Sequence, residues 1–176
     1  WGNFPSISAG WILTQEKFLQ NIDWLSRLKV RASYGATGNN RISDFAFLDL
    51  LSTGNYAFGA GTGVLSSGQV TSTTNIANPD ISWERSFMTN VGLDVALFNN
   101  KITLSVDAFS TETEQLLLQQ SVQAIAGVPQ YYNNIGSLQN RGLEFELSTI
   151  NMLNKRFKWT TTGNLSFVRN KIQQLG

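Results

Sequence analysis

The chain has 176 residues, 41% hydrophobic and only 14% charged, well below the about 25% usual in soluble globular domains, so part of its surface is not built for water. Its 13 Lys and Arg balance 12 Asp and Glu with no run of either sign, which excludes nucleic acid as a partner. With no His and no Cys, the usual general base, the commonest transition-metal ligand, thiolate chemistry and a disulfide framework are all absent, and no catalytic, cofactor-binding or metal-binding residue is assigned.

The predicted elements are strands. The first runs from Pro5 to Leu13, and Thr14-Gln-Glu-Lys then opens a short helical turn with Glu16 in its first turn. The second, Leu28 to Gly35, sets Leu28, Val30, Ala32 and Tyr34 against Lys29, Arg31 and Ser33. A stretch from Ala36 to Ser82, rich in Gly, Ser, Thr and Asn, reads as irregular and is too long for an ordinary connection. Strands three and four, Asn90 to Phe98 and Lys101 to Phe109, flank a two-residue Asn99-Asn100 turn. Val91, Leu93, Val95, Leu97, Ile102, Leu104, Val106 and Ala108 share one face, opposite Gly92, Asp94, Ala96, Thr103, Ser105 and Asp107. A second irregular stretch spans Gln115 to Asn134. Strand five sets Leu143, Phe145 and Leu147 against Glu144 and Glu146, and strand six sets Trp159, Leu165 and Phe167 against Thr160, Asn164 and Ser166.

Connections alternate in length. Those after strands one, three and five are compact, and those after strands two and four are long. In an up-and-down antiparallel sheet this puts every short turn at one end and every long loop at the other, as in outer-membrane barrels. Trp24, Phe98, Phe157 and Trp159 gather at the short-turn end and Trp83 and Phe87 at the other, as two interfacial girdles require. No segment has the roughly 20 consecutive apolar residues of a spanning helix, so a membrane fold would have to be a barrel. Both ends are still in strand-like pattern, and a longer parent chain is expected.

Chemistry-bearing motifs are few. Gly35-Ala-Thr-Gly-Asn-Asn40 reads as a turn past a strand end, and Asn78-Pro-Asp-Ile-Ser-Trp-Glu84 as a turn followed by an aromatic anchor. Gly61-Thr-Gly63 lacks the strand-to-helix context of a phosphate loop. Glu112/Glu114 and Glu144/Glu146 read as solvated charges facing a lumen rather than a glycosidase pair. In the long loops, Tyr56, Phe58, Tyr131 and Tyr132 are the candidates for ligand or partner contact, since aromatic faces beside amides suit both sugars and a packed protein surface. No residues form a nucleophile with its base, so the chain is not read as an enzyme.

Leu28-Lys-Val-Arg-Ala-Ser-Tyr-Gly-Ala-Thr-Gly-Asn-Asn40, Asn78-Pro-Asp-Ile-Ser-Trp-Glu84, Asn90-Val-Gly-Leu-Asp94 and Asn140-Arg-Gly-Leu-Glu-Phe-Glu146 occur in an order that resembles the SusC/RagA-type TonB-dependent transporters of Bacteroidetes outer membranes. Phe4-Pro-Ser-Ile-Ser-Ala-Gly-Trp11 and Asn164-Leu-Ser-Phe-Val-Arg-Asn-Lys171 fit the same pattern. The resemblance implies an all-β fold: residues 1–176 as an antiparallel up-and-down meander, about six strands from the C-terminal half of a large plugged barrel. The plug and TonB box would lie elsewhere in the parent chain. It also implies import of oligosaccharides or peptides, a SusD-type surface lipoprotein as partner, energy from a TonB complex, outer-membrane lipid around the barrel, and no cofactor. The rival expectation is a soluble secreted β-sandwich binding module, carbohydrate-binding or adhesin-like, with its apolar faces packed together.

Overall fold

The computed structural model describes residues 2–41, 47–48, 51–58, 64–71, 78–121, 123 and 130–175, with backbone alone at 51–58, 64–71 and 130. Its elements are β1 (Ser6–Ile12), a 3-10 helix (Leu13–Gln15), β2 (Leu25–Asn39), β3 (Leu51–Phe58), β4 (Val64–Thr71), β5 (Glu84–Leu97), β6 (Ile102–Ser121), β7 (Gln130–Leu153) and β8 (Lys158–Gln174). Six strands form an antiparallel meander in the order β1-β2-β5-β6-β7-β8, and β3 and β4 form a separate two-stranded sheet. The chain divides into two units: Trp1–Gly38, Arg85–Glu114 and Ser137–Gln173 make the first, and Asn39–Glu84, Gln115–Gly136 and Gln174–Gly176 the second.

In the first unit the alternation read from the sequence becomes register. Val91 lies opposite Ala108, Leu93 opposite Val106, Val95 opposite Leu104 and Leu97 opposite Ile102. On the other face Gly92 lies opposite Asp107, Asp94 opposite Ser105 and Ala96 opposite Thr103. In the β1–β2 pair, Trp11 lies opposite Val30 and Ile7 opposite Tyr34.

The turn between β5 and β6 is longer than expected. Phe98, Asn99 and Asn100 all have left-handed backbones, with φ of 52°, 55° and 62°. Asn tolerates that region, whereas a bulky Phe needs outside support. The support comes from the Phe98 N–H donating to the Trp24 carbonyl at 2.8 Å. Lys101 N–H closes the turn on the Phe98 carbonyl at 3.3 Å, so the connection is Phe98 to Lys101 rather than Asn99-Asn100 alone.

The two faces differ in chemistry rather than in burial. Among the described residues only Ala36 and Ala96 are buried apolar side chains, and they lie on opposite faces, while Val91 is 51% exposed and Phe167 58%. β8 is exposed along its whole length, and the Val/Leu/Phe face has no second layer over it. A β-sandwich needs that face dry, so the sandwich expectation does not stand. Phe145 and Phe167 meet edge-on across β7 and β8 with ring centroids 6.5 Å apart.

The Gly35-to-Asn40 segment also departs from expectation, because β2 continues to Asn39 instead of turning. The Ala36 N–H donates to the Pro5 carbonyl at 2.9 Å, which keeps the segment laddered to the chain just before β1.

The second unit contains the larger differences. The stretch read as irregular holds the β3–β4 hairpin, with Leu51 opposite Thr71 and Phe58 opposite Val64. The stretch read as a second loop is largely strand, since β6 runs 20 residues and β7 runs 24. Gln115, with φ 57°, marks where the apolar alternation of β6 is broken before Leu116.

Candidate functional site

The polar face of the first unit is built around one cation. Arg31 of β2 reaches over Gly92 of β5, its Nε donating to Asp94 Oδ2 at 2.9 Å and its Nη2 to Asp94 Oδ1 at 2.9 Å. The same Nη2 donates to Asp107 Oδ2 of β6 at 3.0 Å and to Ser105 Oγ at 3.3 Å. Ser105 Oγ in turn donates to Asp94 Oδ1 at 3.0 Å. One planar guanidinium therefore clamps three strands, with the fork geometry that Arg provides and Lys does not.

Gly92 makes this possible. A Cβ there would stand 2.7 Å from Arg31 Cζ and 2.5 Å from Asp107 Oδ1. Gly142 on β7 likewise leaves room for the Phe109 ring, 2.8 Å from where a Cβ would stand, and also for the Phe167 carbonyl oxygen of β8 at 2.5 Å. The glycines of Asn90-Val-Gly-Leu-Asp94 and Asn140-Arg-Gly-Leu-Glu144 are thus seats for side chains from adjacent strands.

Beside the clamp, a cavity of about 500 Å³ is lined by Ser105, Asp107, Glu144, Glu146, Asn164 and Ser166, with Phe145 and Leu165. Glu144 and Glu146 have no ion pair among the described residues. Its walls combine the carboxylates of Asp107, Glu144 and Glu146 with the hydroxyls of Ser105 and Ser166 and the amide of Asn164. The sequence placed Lys29, Arg31, Asp94, Asp107, Glu144 and Glu146 on one face; the structure brings Arg31, Asp94 and Asp107 together.

At the short-turn end Trp24, Phe98, Phe157 and Trp159 are all exposed, as expected of a girdle. The sequence reading left out Trp11, which joins them 55% exposed and donates from Nε1 to Glu16 Oε1 at 2.9 Å.

In the second unit, amide side chains replace backbone ladder partners. Asn134 Oδ1 accepts from the Ser82 N–H at 2.8 Å, and its Nδ2 donates to the carbonyls of Ser82 at 2.9 Å and Gln115 at 2.7 Å. Asn78 forms the expected turn by accepting from the Asp80 N–H at 3.1 Å, and its Nδ2 donates to the Tyr132 carbonyl at 2.8 Å. Glu84 accepts from Asn39 Nδ2 at 2.6 Å and from the Leu117 N–H at 3.1 Å, so its role is to hold backbone rather than to pair with a cation. Nothing in the spacing of Asn134 announced this role, because its partners come from two distant segments.

Of the candidate contact residues, Tyr131 and Tyr132 lie side by side near the start of β7 and so present opposite faces. The Tyr131 hydroxyl donates to Gln120 Oε1 at 2.8 Å, and Asn133 Nδ2 joins both at 3.3 Å. The Tyr132 hydroxyl accepts from Gln119 Nε2 at 2.8 Å. Aromatic rings with amides fixed beside them thus occur on both faces of this strand pair. Tyr56 and Phe58 fall in β3, opposite Ser66 and Val64, and their side chains lie outside the described residues. Gly61-Thr-Gly63 also lies outside them.

The chain matches the family described as TonB dependent receptor-like, beta-barrel, over residues 1–175. It is 34% identical to TonB-dependent receptor P39 of Formosa agariphila, a match that covers 99% of this chain and 16% of that protein. It is 35% identical to TonB-dependent receptor SusC of Bacteroides thetaiotaomicron, over 99% of this chain and 17% of that one. Among solved structures, the RagAB peptide importer in its closed-closed state superposes with a TM-score of 0.83 at 31% identity, over 98% of this chain and 18% of that one. The chain thus spans about a sixth of the length of the curated relatives it matches.

Proposed function

This chain belongs to the TonB dependent receptor-like β-barrel family, and from that premise we propose that it supplies six adjacent staves of an outer-membrane barrel that imports oligosaccharides or peptides without catalysis. Residues 1–176 are then part of a barrel domain whose plug and TonB box belong to other parts of the protein. The observation that carries this reading is the two-sided chemistry of a single uncovered sheet. One face is apolar and exposed, as lipid requires, and the other is polar and clamped by Arg31, as a water-filled interior requires.

Strand length supports a partner. A tilted membrane-spanning strand needs only about 9–11 residues, yet β6 has 20 and β7 has 24. Their surplus carries Tyr131, Tyr132, Gln119 and Gln120 beyond the band that lipid covers, at the end opposite the short turns. We assign these residues to contact with a SusD-type surface lipoprotein or with substrate at the barrel mouth. Tyr56 and Phe58 are proposed for the same surface.

The test uses the full-length protein in its own cells. The protein should fractionate with the outer membrane, a surface lipoprotein should co-purify with it, and deletion of its gene or of TonB should abolish uptake of a labelled peptide or oligosaccharide. Undiminished uptake of every such labelled solute after deletion, or recovery of the protein in a soluble fraction, overturns the reading.

A further inference from the structure

The outward face of the first unit carries cations that the transport reading does not use. Arg141 alternates in step with Leu143, Phe145 and Leu147 on β7. The Phe145–Phe167 contact places Phe167, Arg169 and Lys171 of β8 on that same face. Gln139, also in step, donates to Ser110 Oγ at 3.5 Å and accepts from Gln173 Nε2 at 3.1 Å.

Two hollows adjoin there. One, about 740 Å³, is chiefly apolar in its walls, with Ala108, Leu143 and Phe167 in its lining beside Arg141 and Arg169. The other, about 210 Å³, lies among Gln139, Arg141, Arg169, Asn170 and Lys171. Arg141 and Arg169 line both. None of the three cations has an ion pair among the described residues. Glu112 and Glu114 of β6, expected to face a lumen, instead fall in step with Val106 and Ala108 on this face and line a separate hollow with Tyr34 and Phe87.

An outward Arg or Lys costs about 2–4 kcal/mol at the bilayer midplane and about 0–1 kcal/mol near the interface. Three of them together over an apolar groove therefore belong at headgroup depth, facing anions. Guanidinium forks match phosphate oxygens two at a time. Arg169 and Lys171 lie near the end of β8 away from the short β7–β8 turn, and Arg141 lies on β7 twelve residues before that turn, which in a barrel is toward the outer leaflet.

We propose that Arg141, Arg169 and Lys171 bind the phosphate of an acylated sugar lipid of the outer leaflet, with one acyl chain seated along Ala108, Leu143 and Phe167. The proposal rests on the barrel reading above. It adds a lipid site on the barrel exterior, independent of what passes through the interior.

The test compares full-length wild type with the triple variant R141Q/R169Q/K171Q, both purified from outer membranes in mild detergent. Folding is read from heat-modifiable gel migration, and bound lipid is extracted and identified by mass spectrometry. The folded variant should retain about tenfold less phosphorylated acyl-sugar lipid than wild type. Equal retention by two folded barrels overturns the lipid site and leaves the barrel reading intact, whereas a wild type that never reaches the membrane overturns the barrel reading itself. Retention of glycerophospholipid alone also overturns the proposal. A second measurement uses purified lipid A added to glycerophospholipid vesicles that hold the reconstituted protein. Lipid A should raise the unfolding temperature of wild type and not of the variant. An equal rise with dephosphorylated lipid A, or with inorganic phosphate alone, overturns the assignment.

Discussion

Two glycines decide where large side chains can cross the sheet. Gly92 leaves the space that Arg31 needs, and an added methyl group would meet both Arg31 and Asp107 at under 3 Å. Gly92→Ala should therefore lower the stability of the folded barrel by about 1–3 kcal/mol, the usual cost of overpacking. Gly163 is the control, since a Cβ there meets nothing within 4 Å. Gly163→Ala should be neutral or stabilising by up to about 1 kcal/mol, because Gly gives up more backbone freedom than Ala on folding. Denaturant unfolding of both variants in the same detergent checks the pair, and equal effects would sink the account of Gly92 as a seat. The sequence showed Gly92 on the polar face of its strand. It did not show Arg31 above it, because that contact links residues 63 positions from Asp94 in a register that only the assembled sheet defines.

Among elements, the most legible were those whose side chains alternate cleanly between apolar and polar. β5 and β6 showed both faces and their antiparallel pairing, and only the turn length differed, because Phe98 leaves the strand for a left-handed turn held by Trp24. The β3–β4 hairpin was not legible, since Gly54, Asn55, Ser66, Ser67 and Gly68 give its middle no apolar face to read. The far ends of β6 and β7 were hidden for a different reason. Leu116, Leu117 and Leu118 follow Gln115 without alternation, so a real strand looks like an irregular segment. Asn134 holds that region by doing the work of a missing ladder residue. Asn134→Asp keeps the acceptor for Ser82 N–H but replaces two donated hydrogen bonds with a carboxylate facing the carbonyls of Ser82 and Gln115. Amide exchange at Ser82 should accelerate more in this variant than in Asn134→Ala, a difference of about tenfold for about 1.4 kcal/mol of local repulsion. If Asn134→Asp exchanges no faster than the unsubstituted protein, the donated bonds are not what holds the segment.

For the molecule as a whole, the decisive property is that no large apolar side chain among the described residues is fully buried. Leu93, Leu143, Leu147, Leu165 and Phe167 are between 36% and 58% exposed, and the sheet ends in unpaired edges at β1 and β8. Both features promote association in water. The isolated 176-residue chain should therefore aggregate without detergent, and light scattering after dilution from urea is a direct check. A monomer that unfolds cooperatively in plain buffer would contradict the barrel assignment.

The Arg31 clamp also bears on how the sheet finds its register. β5 and β6 are joined by a tight turn and can pair early, which presents Asp94, Ser105 and Asp107 as an anionic notch before β2 arrives from across the β3–β4 insertion. A β2 strand slipped by one residue would point Arg31 at the apolar face, and one slipped by two would offer the notch Lys29 or Ser33 in its place. Neither can fork across two carboxylates. A single guanidinium thus makes the correct alignment energetically distinct from its nearest errors, at the one junction where the meander is interrupted and a short turn cannot set the alignment.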